Sequence, residues 1–221
     1  MTQIIPKKPI AVESKWQKEL ANSFTTLESL LDYLQIPLEK ALEHNPARKL
    51  FPMRVPRPFA DLMKLGDYND PLLKQVLPSK DEFVEHTDFV MDPLQEQKNH
   101  QKGILHKYLN RALLIVKSGC AVNCRYCFRR HFPYQENSIN KQEWNSVLGY
   151  IKEHKDLDEI ILSGGDPLMA KDEFLRWLCN EIVNIKHIKR IRIHSRFPVV
   201  IPSRLDTGFL IGLQNYRFNP S

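Results

Sequence analysis

The stretch Ala112-Leu-Leu-Ile-Val-Lys117, followed by Ser118-Gly-Cys120, decides the fold of this 221-residue chain. It is a continuous apolar run closed by a turn signal, which is typical of a strand buried on both faces. Two more strand patterns follow, Glu159-Ile-Ile-Leu162 and Arg190-Ile-Arg-Ile-His194, with helical patterns between them. Repeated βα units predict a parallel sheet, open or curled into a barrel, with ligands beyond the carboxyl ends of its strands.

Helical spacing of apolar residues locates the segments between and after these strands. We predict a helix over about residues 141 to 153, with Asn140 and Glu143 as a capping pair, and another over about 206 to 213. A further predicted helix precedes the third strand. Its apolar face consists of Leu175, Leu178, Ile182 and Ile185.

The first hundred residues have a different pattern, in which short helical segments are joined by prolines. A capping-box pattern at Thr25-Thr26-Leu27-Glu28 precedes a helix that ends before Pro37, and a second short helix follows at about 38 to 42. Prolines then recur in two stretches, Phe51 to Pro58 and Asn69 to Pro78. Long regular elements are therefore not expected in this region.

We predict an α/β protein in two parts. Residues 1–105 form a helical, proline-rich wrapping extension, and residues 106–221 form the first half of a partial (βα) barrel with about three βα units. The last strand would present an unpaired edge, which is a liability unless more chain or another subunit covers it. We therefore expect the sequence to be a truncated form of a longer one.

Composition and charge exclude several classes of protein. The chain is 42% hydrophobic and 26% charged, as in globular proteins, and no apolar run approaches the roughly 20 residues of a membrane-spanning helix. The start, Met1 to Pro9, lacks the apolar core of a secretory signal, so we expect a soluble, cytoplasmic protein with no membrane partner. The net charge of +6 suits anionic small molecules as well as nucleic acid. Basic and aromatic residues do not alternate along a strand, so nucleic acid is not expected as the main partner.

Three of the four cysteines, Cys120, Cys124 and Cys127, fall within eight residues, directly after the first strand. Three thiolates on one loop suit a 4Fe-4S cluster with one iron left open for a small molecule. Two alternatives remain. The first is a Cys3His zinc site in which His131 is the fourth ligand, and the second is that the three cysteines bind no metal. The fourth cysteine, Cys179, lies in a predicted helix and is interpreted as a small buried hydrophobe.

Cysteines spaced in this way after a first barrel strand resemble the signature of radical S-adenosylmethionine enzymes. In that signature the aromatic residue before the last cysteine, here Tyr126, lies against the adenine. The surrounding motifs resemble the lysine 2,3-aminomutase family, and most closely its bacterial branch that makes (R)-β-lysine for elongation factor P. The motifs are Arg54-Val-Pro-Arg57, His106-Lys-Tyr-Leu-Asn-Arg111, Cys127-Phe-Arg-Arg-His131, Ser163-Gly-Gly-Asp-Pro-Leu168 and Ser195-Arg-Phe-Pro-Val-Val-Ile-Pro202.

The resemblance implies an isomerase that converts L-α-lysine into (R)-β-lysine by 5′-deoxyadenosyl radical chemistry. It implies three cofactors: the 4Fe-4S cluster, S-adenosyl-L-methionine and pyridoxal 5′-phosphate. Free L-lysine is then the substrate, and the elongation factor P pathway is an indirect partner. The sequence leaves open whether the protein is a homo-oligomer.

Roles for individual residues also follow from the resemblance. Arg129 would hold the substrate α-carboxylate through two parallel hydrogen bonds, and Arg111 would contact pyridoxal phosphate. The turn after the second strand would bind the amino group of S-adenosylmethionine, because glycines let the backbone approach closely. A plain βα turn capped by its aspartate is the alternative. The residues of this turn are Ser163, Gly164, Gly165 and Asp166.

Ser195 and Arg196 would be further S-adenosylmethionine contacts, the alternative being strand-end polar residues that face solvent. Arg130 and His131 are candidates for a supporting role. The family's aldimine lysine, and the two carboxylates that recognise the distal ammonium of lysine, match nothing in these 221 residues, so no catalytic residue is identified. We therefore expect this polypeptide alone to bind a cluster but not to interconvert lysine isomers. A non-enzymatic iron–sulfur or zinc-binding module, or an enzyme for another amino acid, are the competing interpretations.

Overall fold

A four-stranded sheet lies at the centre of the structure, a computed structural model that describes residues 14–49, 52–84, 87, 90–97 and 101–214. The strand order is β1-β2-β3-β4. β1 is antiparallel to β2, while β2, β3 and β4 are parallel to one another. The strands are β1 Ile104–Tyr108, β2 Arg111–Lys117, β3 Glu159–Gly164 and β4 Arg190–Ile193.

Two helices connect the parallel strands, α4 (Lys141–Glu153) and α5 (Asp172–Val183). The predicted capping pair of α4 is confirmed. The Oδ1 atom of Asn140 accepts hydrogen bonds from two backbone N–H groups of the first turn, and the Glu143 carboxylate accepts from the Asn140 N–H at 2.7 Å. In α5 the side chain of Cys179 is buried, as predicted, and this burial raises its thiol pKa to about 11.

Alternation along the strands gives the sheet two different faces. On one face Leu114, Val116 and Leu162 join the main hydrophobic core with α4 and α5. On the other face Ile115 packs in a small separate cluster, and charged residues such as Arg111 stand between the apolar ones. The sequence predicts that the run after Arg111 is buried on both faces. The structure buries Ala112, Leu114 and Val116 on the helix-covered face and Ile115 on the other, while Leu113 is half-buried. The inner surface therefore combines apolar and charged side chains.

Short helices and turns of the amino-terminal residues pack against the same core. The helix predicted to end before Pro37 is present, but its cap differs from the prediction. Thr26 is its N-cap and accepts from the Ser29 N–H, so the helix begins at Leu27 and the cap is not the Thr25 to Glu28 box. These α-helices are α1 Lys15–Ala21, α2 Leu27–Tyr33 and α3 Arg57–Ala60. The 3₁₀ turns are Leu38–Lys40, Leu42–Lys49, Leu73–Gln75 and Lys80–Phe83.

The remaining elements follow β3 or β4 in the chain. The last predicted helix is confirmed as α7 (Thr207–Gln214), and α6 (Phe197–Val200) occupies the motif after β4. Two more 3₁₀ turns complete this part, Pro167–Met169 and Pro202–Arg204. Within the described part of the chain, no helix is long and apolar enough to cross a membrane.

Strand β1 is the one strand that the sequence analysis does not predict. It crosses the proposed boundary between residues 105 and 106, so that division of the chain stays a prediction. At the other side of the sheet, no described strand pairs with the outer edge of β4, in agreement with the expected unpaired edge.

A fully buried arginine, Arg204, joins the end of the fold to the turn after β3. Its guanidinium donates to the carbonyls of Leu168 (2.8 Å) and Ala170 (3.0 Å) and pairs with Asp172 at 2.7 Å. It also lies within 5 Å of the centres of two aromatic rings, a favourable position for a buried cation. The rings belong to Trp16 and Phe209.

We expect Arg204→Ala to lower the free energy of unfolding by about 3 kcal/mol or more, because it leaves two buried carbonyls and a carboxylate without their donor. Urea unfolding of the two proteins measures this difference. Arg190→Ala is the control, since the exposed Arg190 pairs with Glu159 at 3.5 Å and its loss should cost less than about 1 kcal/mol. Equal losses in the two variants would contradict the prediction.

Candidate cofactor site

Three loops meet at the carboxyl ends of β2, β3 and β4, and they contain most of the predicted site residues. Backbone hydrogen bonds join the first two loops: the Gly165 N–H donates to the Lys117 carbonyl at 2.7 Å and the Asp166 N–H donates to the Gly119 carbonyl at 2.9 Å. The cysteine loop after β2 thus lies directly against the turn after β3. This is the arrangement expected of parallel strands, whose carboxyl ends share one edge of the sheet.

The two glycines of the turn are required by this contact. Gly164 has a φ of +116°, which residues with a side chain rarely adopt. A Cβ atom on Gly165 would lie 2.5 Å from the Gly119 oxygen and 2.7 Å from the Ser118 oxygen, so the cysteine loop leaves no room for one. The Gly164 carbonyl accepts from the Tyr134 hydroxyl at 2.9 Å, which also fixes the turn.

The carboxylate of Asp166 is buried and binds donors of this chain. It accepts from the Ser195 hydroxyl at 2.8 and 3.0 Å, from the Arg196 N–H at 2.8 Å and from the Leu168 N–H at 2.9 Å. Burial raises its pKa, and these hydrogen bonds oppose the increase. Asp166 therefore caps the turn, as expected of a plain βα turn, and it also joins the turn to the loop after β4.

The three cysteines are partly exposed on the loop. Burial is the main reason why the pKa of the Cys120 thiol is raised to about 12, and the nearby Asp166 adds to the effect whereas Arg54 opposes it. Burial also raises the pKa of Cys124, which the neighbouring Arg196 opposes. Binding of iron must therefore displace protons from these thiols.

The donor set suits an iron–sulfur cluster, which takes cysteine thiolates as its protein ligands. Over the described residues, no three His, Cys, Asp or Glu side chains are grouped so that they could hold one metal ion. The cubane binds each thiolate at a different iron atom, so its cysteines need not converge on one point. The backbone carbonyl of His131 accepts from the Gln97 amide at 3.2 Å.

Arg196 reaches the cysteine loop from the end of β4. Its Nη1 atom lies 3.7 Å from the Cys124 sulfur and also contacts the Tyr126 hydroxyl, while Nη2 donates to the Gln75 side chain at 2.7 Å. The structure therefore brings Arg196 and the half-exposed Tyr126 together beside the cysteines. Ser195 instead faces Asp166.

Arg129 is largely buried and is bound by a residue that the sequence analysis does not identify. Its Nε and Nη2 atoms donate to the two carboxylate oxygens of Glu96 at 2.7 and 2.8 Å, and its Nη1 lies 3.4 Å from the Ser163 hydroxyl. Burial alone would lower the pKa of Arg129, but the hydrogen bonds and charge of Glu96 raise it. One edge of the guanidinium is thus occupied by Glu96, and the other edge is directed towards the end of β3.

Arg111 lies apart from the cysteines, at the amino end of β2 opposite Glu159. Since it precedes Lys117 by six residues, about 20 Å of strand separates it from the cysteine loop. Its guanidinium lies over the Tyr108 ring at 4.7 Å, and its buried Nε has no hydrogen-bond partner within the described residues. It lines a cavity of about 210 Å³ on the inner face of the sheet. Lys107, Arg192, His194 and the carboxylate of Glu96 also line this cavity, and burial together with the charge of Arg192 lowers the pKa of His194.

Arg130 joins the cysteine loop to the amino-terminal part of the chain. Its Nη1 atom pairs with Glu82 at 2.6 Å, and its Nη2 donates to the Arg125 carbonyl at 2.7 Å. Glu82 also pairs with the Arg125 side chain at 3.4 Å. This carboxylate, from the amino-terminal part of the chain, is a second contact that no sequence motif indicated.

Comparisons with known proteins agree with this geometry. A model of the Radical SAM superfamily matches residues 114–205. L-lysine 2,3-aminomutase of Escherichia coli (strain K12) is 57% identical over 88% of this chain, and that of Haemophilus influenzae is 49% identical over 97%. L-lysine 2,3-aminomutase of Clostridium subterminale is 32% identical over 91% of the chain. The chain spans 57%, 64% and 49% of the lengths of these three relatives, respectively.

Proposed function

We propose that the chain forms the cluster and S-adenosylmethionine site of a lysine 2,3-aminomutase, because a Radical SAM superfamily model matches residues 114–205 and L-lysine 2,3-aminomutases are similar to it along most of its length. The substrate is L-lysine and the product is (R)-β-lysine, for the modification of elongation factor P. The observation that carries the proposal is the contact between the cysteine loop and the glycine turn, in which no Cβ fits at Gly165.

Cys120, Cys124 and Cys127 would hold three irons of a 4Fe-4S cluster. When bound, the cluster would supply the electron for the reductive cleavage of S-adenosylmethionine. The protein's contribution is to hold three thiolates on one loop and leave the fourth position free. The guanidinium groups of Arg54 and Arg196 offset part of the thiolate charge.

S-adenosylmethionine would lie beside the cysteine loop and the turn after β3, which contact each other directly. Gly164 and Gly165 let the turn lie against the cysteine loop, so that the backbone of the turn is available to the amino group, while Asp166 joins the turn to the loop after β4. Tyr126 offers its ring to the adenine, and Arg196 lies next to that ring. Ser163 and Ser195 complete the polar lining of this region.

Lysine and pyridoxal phosphate would occupy the inner face of the sheet. The edge of the Arg129 guanidinium that Glu96 does not bind, where Nη1 lies 3.4 Å from the Ser163 hydroxyl, suits a carboxylate because it presents a second pair of parallel N–H groups. Pyridoxal phosphate, which would supply an electron sink when bound, has a phosphate that suits Arg111 and Lys107 of this cavity, which Glu96 also lines. The orphaned Nε of Arg111 fits an anion there. The cytoplasmic location, the homo-oligomer and the extension with its boundary at residue 105 stay predictions.

Anaerobic reconstitution with iron and sulfide tests the proposal. We expect about four irons and four acid-labile sulfides per chain, and 5′-deoxyadenosine from S-adenosylmethionine under dithionite. Uptake of zinc in place of iron, or a loaded cluster that does not cleave S-adenosylmethionine, would refute the proposal.

A further inference from the structure

Gln75 joins the amino-terminal part of the chain to two loops of the site, although no motif marks it. It ends the 3₁₀ turn Leu73–Gln75, and its backbone carbonyl accepts from the Arg125 N–H at 2.7 Å. Its side-chain oxygen accepts from the Arg196 Nη2 at 2.7 Å. Gln75 thus contacts the cysteine loop through its backbone and the loop after β4 through its side chain.

These contacts leave the Arg196 side chain little freedom. Asp166 binds its backbone N–H at 2.8 Å, and Gln75 binds the far end of its guanidinium. The remaining terminal nitrogen then lies 3.7 Å from the Cys124 sulfur. We propose that Gln75 is a positioning residue that holds the Arg196 guanidinium beside Cys124 and so raises the reduction potential of the bound cluster. This inference rests on the proposed function, in which Cys124 is a cluster ligand.

The physical reason is the charge of the cluster. Reduction makes the cluster more negative, so a positive charge and an N–H group directed at a ligand sulfur favour the reduced state. A neutral amide orients Arg196 without cancelling its charge. Arg129, in the same site, is bound instead by the carboxylate of Glu96, which neutralises it. The two arginines therefore have different partners, and the neutral partner belongs to the arginine next to the cysteines.

Two substitutions separate the orientation of Arg196 from its charge. Gln75→Glu has nearly the same shape and keeps an acceptor for Arg196, but it adds a negative charge that pairs with the guanidinium. Gln75→Leu removes the acceptor. Gln142→Glu makes the same change of charge at an exposed position at the start of α4 and serves as the control.

The measurement is a potentiometric titration of the reconstituted chain, with the reduced cluster followed by electron paramagnetic resonance. We expect a more negative midpoint potential in both Gln75 variants, with the larger shift in Gln75→Glu, and the wild-type value in Gln142→Glu. Iron per chain should be unchanged in all of them.

Three results would overturn the inference. Wild-type potentials in Gln75→Glu and Gln75→Leu would do so while leaving the proposed function intact. Loss of the cluster in both variants would do so as well, because Gln75 would then support the fold of the loop and not the potential. A wild-type chain that binds no cluster would overturn the proposed function together with the inference.

Discussion

Replacement of Cys124 by alanine should abolish the iron–sulfur cluster and, with it, all cleavage of S-adenosylmethionine. Without Cys124, two of the four irons lack a protein thiolate instead of one, and the cluster is no longer held stably. We therefore expect the iron content after reconstitution to fall to background. The same result is expected for Cys120→Ala and Cys127→Ala. Iron and sulfide analysis, together with the yield of 5′-deoxyadenosine under dithionite, measures the effect.

Cys179→Ala is the matched control for this experiment. Cys179 lies in the core on α5, and its replacement removes one buried sulfur at a cost of about 1 kcal/mol in unfolding free energy. Its cluster content and S-adenosylmethionine cleavage should equal those of the wild type. If a loop variant kept a full cluster, or if Cys179→Ala lost it, the assignment of the three ligands would be wrong.

The elements that the sequence predicts well are those with a strong local pattern. The run from Ala112 to Lys117 and the capping pair of Asn140 and Glu143 involve neighbours in the chain, and both lie where they were expected. β1 escapes prediction because its outer half, His106-Lys-Tyr108, is polar and its pairing with β2 as an edge strand is not visible in its own composition.

The predicted residues of the site come from motifs, whereas their partners come from distant parts of the chain. Glu96 binds an arginine 33 positions away, and Gln75 binds one 121 positions away. No spacing rule connects residues so far apart, because only the folded sheet brings them together. Arg204 shows the same limit, since a lone arginine near a helix gives no sign that it is fully buried.

Gly165→Ala should lower the rate of S-adenosylmethionine cleavage by about a hundredfold while the cluster remains. The added Cβ would meet the backbone oxygens of Ser118 and Gly119, which cannot rotate away, so the turn and the cysteine loop must move apart. A displacement of about 1 Å between a cofactor and its reacting partner is enough for a loss of this size. The three thiolates belong to one loop and move together, which is why the cluster should be retained.

Gly149→Ala, in the middle of α4, is the control for this substitution. A Cβ at Gly149 meets no other atom within 4 Å, and alanine is the better helix former, so this variant should gain about 0.5–1 kcal/mol in unfolding free energy and keep its activity. The comparison isolates the contact at Gly165 from any general effect of replacing glycine. Full cleavage activity in Gly165→Ala would show that the turn does not need to lie against the cysteine loop, and the geometry on which the proposed function depends would then be incorrect.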